Sequence, residues 1–400
     1  MDNVIYLDNN ATTAVAPEVR EAMLPFLGPL YGNPSSIHTF GGQVKAHLDE
    51  ARERVADLLG CHPTEIIFAS CGTESDNTAI TSALDCHPER HHIISTRVEH
   101  PAVKNLCQAL AQGRPGRPLY RVTEIPVDAE GLLDVAAFED ALDDNTAVVS
   151  CMWANNETGV LFPVETVGAL CRDRGVLFHT DAIQAAGKIP MNVSDLPIDM
   201  LSLSGHKLHA PKGIGALYVQ RGTRFSPHII GGHQEGNRRG GTESVPLIVA
   251  LGKAAQLARQ NIDKEGTQVA ALRDRLEKGL LEKAPDARVN GNRLLRLPNT
   301  TNISFEYVEG EAILLMLDQH GVCASSGSAC TTGSLEPSHV LRAMGVPFTA
   351  AHGSIRFSLS VYNTDEEIDK VLEVLPPIIR RLREISPFGH ETKPAAGKAR

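Results

Sequence analysis

The sequence predicts an α/β protein with a large, mainly parallel sheet domain and a smaller α+β domain behind it. Three observations carry this. Short apolar strand patterns alternate with helical ones from Glu65 to Val219, as they do where helices form the crossovers between parallel strands. Near residue 260 that rhythm stops, and an exposed amphipathic helix and longer strand patterns take over. The length, 400 residues with 42% hydrophobic and 22% charged content, suffices for a large core and two domains.

The elements follow in order. Within 43–59, Val44, Leu48, Ala51, Val55, Leu58 and Leu59 recur at helical spacing. EIIFAS (65–70) reads as a buried strand, and CGTESDNTAI opens a helix. HIIST (92–96) is the next strand, with a helix from Pro101. AVVSCM (147–152) and VLFHT (176–180) are strands separated by a helix over 164–174. DMLSLS (199–204) and GALYV (215–219) complete the alternation. GGHQEGNRRGGT (231–242), with five glycines and the adjacent Arg238 and Arg239, reads as a long flexible loop. The two arginines fit either a solvated turn or a guide near a phosphate. Helices follow near 246–263 and over 268–284, then a strand at TNISFEYV (301–308), a helix over 310–320, a strand at SIRFSLSVY (354–362) and a last helix to Ile385. ASSGSACTTGS (324–334) favours neither helix nor strand. We expect a large domain over 15–260 and a small one over 261–385 that carries this loop. Residues 1–14 should join the small domain, and the polar tail 386–400 should be disordered.

A net charge of −10 argues against nucleic-acid or anionic-membrane partners. The start, MDNVIYLDNN, has no basic and apolar leader, and no apolar run approaches the roughly 18 residues of a membrane span. The eight cysteines include no Cys-x-x-Cys pair, so free thiols in a reducing cytoplasm are expected. Cys71 and Cys323 read as core packing. Cys330, among loop formers, is the exception. CHPERHH (86–92) is rich in histidine, but its turn and strand start give poor metal-ligand spacing.

Ligands of a parallel sheet bind beyond the carboxyl ends of its strands. After EIIFAS stand Gly72 and Thr73, at a helix start suited to a phosphate. After HIIST come Glu99 and His100; after AVVSCM, Asn155, Asn156 and Glu157; after VLFHT, Asp181 and Gln184; after DMLSLS, Ser204, His206 and Lys207. Each has an ordinary structural reading. Thr73 or Asp181 could cap a helix, His100 could sit in a turn, and Lys207 could be solvated. Jointly at one rim they suit pyridoxal phosphate. That cofactor needs a phosphate cradle, an acid for its pyridine nitrogen, a flat side chain over its ring and a lysine for its aldehyde.

Longer stretches then resemble a family. SLSGHKLHAPKGIGALYV resembles the lysine segment of the fold-type I pyridoxal-phosphate enzymes, whose large domain holds a sheet of seven-stranded type. YLDNNATT, YGNPSSIH, SCGTESDNTAI, VEHPAV, NNETG, HTDAIQ, RRGGTE and SSGSACTTGSLEPSHVLRAMG together are similar to the cysteine desulfurases of the class-V aminotransferase family, and SCGTESD to their nitrogen-fixation branch. The resemblance implies that Lys207 holds the cofactor and moves protons, that Asp181 pairs with the ring nitrogen, and that Gln184 and Asn156 bond the ring oxygen. It places His100 over the ring and Gly72, Thr73, Ser204 and His206 on the phosphate. Thr242 would reach the other subunit's phosphate, implying a homodimer with shared sites. Arg356 would clamp the substrate carboxylate, with Asn33 and Asn156 helping to seat it. Cys330 would take sulfur from L-cysteine as a persulfide and pass it to an iron–sulfur scaffold, for nitrogenase maturation. His100 is a candidate acceptor for the thiol proton. No metal is implied in the resting enzyme, although Cys330 could ligate a transient iron–sulfur cluster. Selenocysteine lyase and aminotransferase are alternatives on the same fold. A sulfur carrier or scaffold is the non-enzyme alternative, disfavoured because its thiols should cluster.

Overall fold

The computed structural model describes residues 4–326 and 337–386. Cys330, Gly327 and Gly333 lie outside the described residues, as does the tail from Pro387. After a short strand β1 (Ile5–Tyr6), the chain builds a seven-stranded sheet from β2 (Ile66–Ala69), β3 (His92–Thr96), β4 (Arg121–Ile125), β5 (Thr146–Ser150), β6 (Leu177–Asp181), β7 (Met200–Ser204) and β8 (Gly215–Val219). Their order is β2-β8-β7-β6-β5-β3-β4. All pairings from β7 to β4 are parallel; β8 runs antiparallel between β7 and β2.

Six of these strands are legible in the sequence. The seventh, β4, reads RVTEI and lies at the sheet edge with its first four residues partly or fully exposed. Its charged residues face water, so it lacks the apolar run that marks the interior strands. Those strands carry apolar residues on both faces because both faces are covered. Ile66, Phe68, Ile94 and Val149 join the core on one face, while Ile67, Ile93 and Val148 join the core on the other. Side-chain alternation along a strand delivers successive residues to opposite faces.

The second body has its own core. Around a sheet of β9 (Ala287–Val289), β10 (Thr300–Phe305), β12 (Ser325–Ser326) and β13 (Ser354–Ser358), Ile303, Phe305, Ile355 and Phe357 pack with Leu375 and Ile379 of the C-terminal helix Asp365–Ile385. The N-terminal segment belongs to this packing. β1 pairs in parallel with β11 (Val322–Cys323), and Leu7 lies in the same core. The chain passes between the two bodies as one helical rod. Helix Val245–Lys264 runs through a π turn, Glu265–Val269, into helix Ala270–Lys283.

Two loop readings change. The first residues of the small-residue loop are a strand: Ser325 and Ser326 pair antiparallel with Arg356 and Ile355. Their backbone groups complete a sheet edge, a gain that side-chain propensity does not announce. The glycine-rich segment 231–242 is tied down rather than loose. Glu235, buried at φ 48°, takes a two-pronged ion pair from Arg52 at 2.7 Å and accepts the Phe68 amide. Arg239 pairs with Glu74 at 2.9 Å, and Arg238 donates to the Ile66 carbonyl. Both arginines therefore anchor the segment to the large body.

Candidate active site

The strand ends converge as their sequence order requires. β3 lies between β4, reached next, and β5, reached afterwards on its other side. The crossovers diverge there, leaving a crevice beyond the carboxyl ends. A cavity of about 310 Å³ occupies it. Gly72, Thr73, His100, Asn156, Asp181, Gln184, Ser204, His206, Lys207 and Arg356 all line it. Asn33 and Thr242 do not; both are exposed. Ser326, four positions before Cys330, lines the cavity as well. Beyond Cys330, the Ser338 hydroxyl donates to Glu157, another lining residue.

Helix Gly72–Cys86 aims its N-terminus at the cavity. Gly72 gives close approach: a Cβ there would stand 2.2 Å from Ile183 Cδ1, so that side chain would have to shift. Cys71 caps this helix and lines the cavity, and Cys323 is half-buried in an edge strand. Neither is the core residue the sequence suggests. In Cys71 a polarisable sulfur accepts the Glu74 amide at 3.5 Å; in Cys323 a two-residue strand offers too little cover.

Electrostatics distinguish the lining groups. Lys207 Nζ donates to the Asn10 and Ala11 carbonyls at 2.6 and 2.7 Å. Burial, then the positive Arg356 and Lys188, pull its amine down to about 7. An amine poised there is neutral often enough to act as nucleophile and base. Asp181 caps its own turn through the Ile183 amide at 2.9 Å, and burial pushes its carboxyl above the ordinary value. Burial holds His100 and His206 down to about 4, so both rings are neutral near pH 7. His100 Nδ1 accepts the Ala102 amide at 3.2 Å as the cap of helix Pro101–Gln112. That bond assigns the ring proton to Nε2. Burial lifts Glu99 to about 8 and Glu157 to about 7.

The fit to pyridoxal phosphate rests on atoms left without partners. Ser204 Oγ, Gln184 Oε1 and Arg356 Nε are buried with no hydrogen bond inside the protein. Buried polar groups are ordinarily satisfied, so three such atoms around one cavity mark groups waiting for a ligand. They stand beside a helix N-terminus, a buried carboxylate and a poised lysine, the donors and acceptors this cofactor needs.

Some site residues escape sequence reading. Asp8 accepts from Arg356 at 2.7 Å, the Asn10 carbonyl accepts from Lys207, and Gln184 Nε2 donates to the same carbonyl at 3.0 Å. The segment YLDNNATT carries no strand-end pattern. Only its likeness to the family flags it.

Comparison with known proteins adds independent findings. The family model described as aminotransferase class-V matches residues 5–371. "Cysteine desulfurase 2" of Trichormus variabilis is 60% identical over 390 residues, 97% of this chain and 96% of the relative. "Cysteine desulfurase NifS" of Azotobacter vinelandii is 57% identical over 385 residues, covering 96% and 94%. A solved "NifS-like protein" superposes with a TM-score of 0.88 at 37% identity, covering 95% of this chain and all of that one.

Proposed function

We propose a division of labour within this site from one premise: the chain belongs to the aminotransferase class-V family and is a pyridoxal-phosphate-dependent cysteine desulfurase acting on L-cysteine. Its architecture is that of the fold-type I enzymes. The observation that carries the assignment is Lys207, an amine held near neutrality in the same cavity as Asp181, His100 and three unpartnered polar atoms.

When bound, pyridoxal phosphate supplies an electron sink that makes the substrate's Cα–H bond acidic. Gly72, Thr73, Ser204 and His206 hold its phosphate, and Asp181 pairs with the ring nitrogen. Gln184 and Asn156 orient the ring oxygen, and His100 covers the ring. Lys207 anchors the cofactor and carries the Cα proton. Arg356 exchanges its bond to Asp8 for the substrate carboxylate, which Asn33 and Asn156 help to seat. His100 offers its Nε2 proton to the cavity. That tautomer supports a proton donor and speaks against His100 as acceptor of the thiol proton.

Cys330, as thiolate, attacks the sulfur of L-cysteine. The new S–S bond forms as the Cβ–S bond breaks; its electron pair stays with Cβ, which is protonated on the way to L-alanine. A persulfide remains on Cys330. The positions of Ser326 and Ser338, which flank the segment that carries Cys330, support this role, because both touch the cavity or its lining. Replacing Cys330 by Ala should leave the cofactor's visible absorbance intact and abolish alanine and persulfide formation. Normal turnover in that variant would overturn the assignment.

The working unit is a homodimer. Asn33 and Thr242 lie outside their own cavity, and the apolar Tyr31, Ile37 and Ile230 are exposed as well. A second subunit would cover these side chains and receive Thr242 at its phosphate. The persulfide passes to an iron–sulfur scaffold in the cytoplasm. The name of the Azotobacter relative supports nitrogenase clusters as the destination, with Cys330 a transient cluster ligand. No helix among the described residues is long and apolar enough to cross a membrane.

A further inference from the structure

Two buried ionisable groups have no part in the roles above. Lys188, in the turn after β6, is 5% exposed, and its Nζ donates to the backbone carbonyl of Lys207 at 3.3 Å. Glu265 opens the π turn between the two bodies and is 6% exposed. One of its carboxylate oxygens, Oε2, has no hydrogen-bond partner. Both residues line a cavity of about 30 Å³ behind Lys207, walled also by His209, Asn261 and Tyr362. That space accommodates a bridging water. Burial pulls the Lys188 amine down and lifts the Glu265 acid to about 7, and each group's charge opposes that by favouring the ionised form of the other.

We propose that Lys188 is a positioning residue for the reaction: kept charged by Glu265, it grips the Lys207 main chain and sets a cation behind the catalytic amine, which therefore releases its proton more readily. This rests on the reading of Lys207 as the cofactor-bearing lysine. The other charges facing Lys207 do not supply the effect as cleanly. Arg356 repels its proton, but Asp8, paired with Arg356 at 2.7 Å, attracts it. Asp181 attracts it from β6. His100 and His206 are neutral near pH 7. Lys188 itself faces Glu265, Lys207 and the neutral His209. Among these groups Lys188 is the cation whose hydrogen bond goes to Lys207 itself.

The test compares Lys188→Met, Lys188→Gln and Lys188→Arg in the full-length chain. The pH dependence of reductive methylation at Lys207, read by peptide mass spectrometry on protein freed of cofactor, reports the neutral fraction of its amine. Loss of the charge should raise the midpoint by about one pH unit in the Met and Gln variants, and Arg should restore it. The same upward shift is expected in the pH titration of the holoenzyme's visible band, which serves if a cofactor-free variant does not fold. Gln keeps a donor for the Lys207 carbonyl. A midpoint that moves in Met but not in Gln would assign the effect to the hydrogen bond and overturn the role of charge. An unmoved midpoint in both would overturn the inference entirely. Borohydride reduction of the holoenzyme and peptide mapping separately locate the cofactor lysine. A label elsewhere than Lys207 would sink the underlying reading instead.

Discussion

The two walls of the cavity hold their polar groups differently. On the large-sheet wall, Ser204 Oγ and Gln184 Oε1 are buried without partners, and Asp181 is a buried carboxylate. On the small-body wall, the charge of Arg356 is engaged in advance: one terminal nitrogen donates to Asp8 at 2.7 Å and the other to the Asn156 carbonyl at 3.0 Å, which leaves its Nε unpartnered. The difference matches what each wall receives. A cofactor that stays can be the partner of groups otherwise unsatisfied, because they are seldom without it. A substrate that comes and goes needs a binding group whose charge is paired in its absence, or every turnover would expose a bare buried cation.

The contrast breaks most sharply at Asp181. Asp181→Asn keeps the side chain's size and removes the charge that faces the ring nitrogen. We expect kcat to fall by about 10²–10³-fold, with Lys207 still retaining the cofactor and the visible band altered. Unchanged kcat would show that the large-sheet wall does not serve as an electrostatic partner. On the other wall, Arg356→Lys keeps the charge and loses the planar fork. Substrate binding should suffer more than chemistry, with KM for L-cysteine rising roughly tenfold to a hundredfold and kcat changing little. A fall in kcat with unchanged KM would place Arg356 among the reacting groups instead.

The same contrast governs what was legible in the sequence. The large-sheet wall is local: each strand is an apolar run, and the polar residues that follow it form the rim. Nine candidate residues of that wall could therefore be named from pattern and family likeness, and the structure brings them to one cavity. The small-body wall depends on contacts distant in sequence. Asp8 meets Arg356 across 348 positions, and Ser325 becomes a strand only by pairing with Arg356. No periodicity encodes either. The edge strand β4 escaped because water, not a helix, covers part of it. The anchoring of 231–242 escaped because Glu235 finds its partner Arg52 in a helix far earlier in the chain.

The smallest expected effect lies beneath the large-sheet wall, at Glu99. Its Oε1 accepts from the Thr96 hydroxyl and the Met152 amide, both at 2.9 Å, while Oε2 is unpartnered and buried. Burial raises the acid to about 8 from an ordinary value of 4.5. Between those values the unfolded chain loses this proton as pH rises while the folded chain keeps it. Glu99 therefore contributes stability that is fully present below pH 4.5 and is lost as pH rises toward 8. The slope approaches the one-proton limit of about 1.4 kcal/mol per pH unit. Glu99→Gln imitates the protonated acid: its carbonyl oxygen can take both hydrogen bonds and it does not titrate. Urea melts across this range should show the variant declining less steeply than the parent chain and surpassing it near pH 8. Parallel slopes would mean that Glu99 is ionised in the fold, and that the large-sheet wall stores charge rather than neutral polar groups awaiting a ligand.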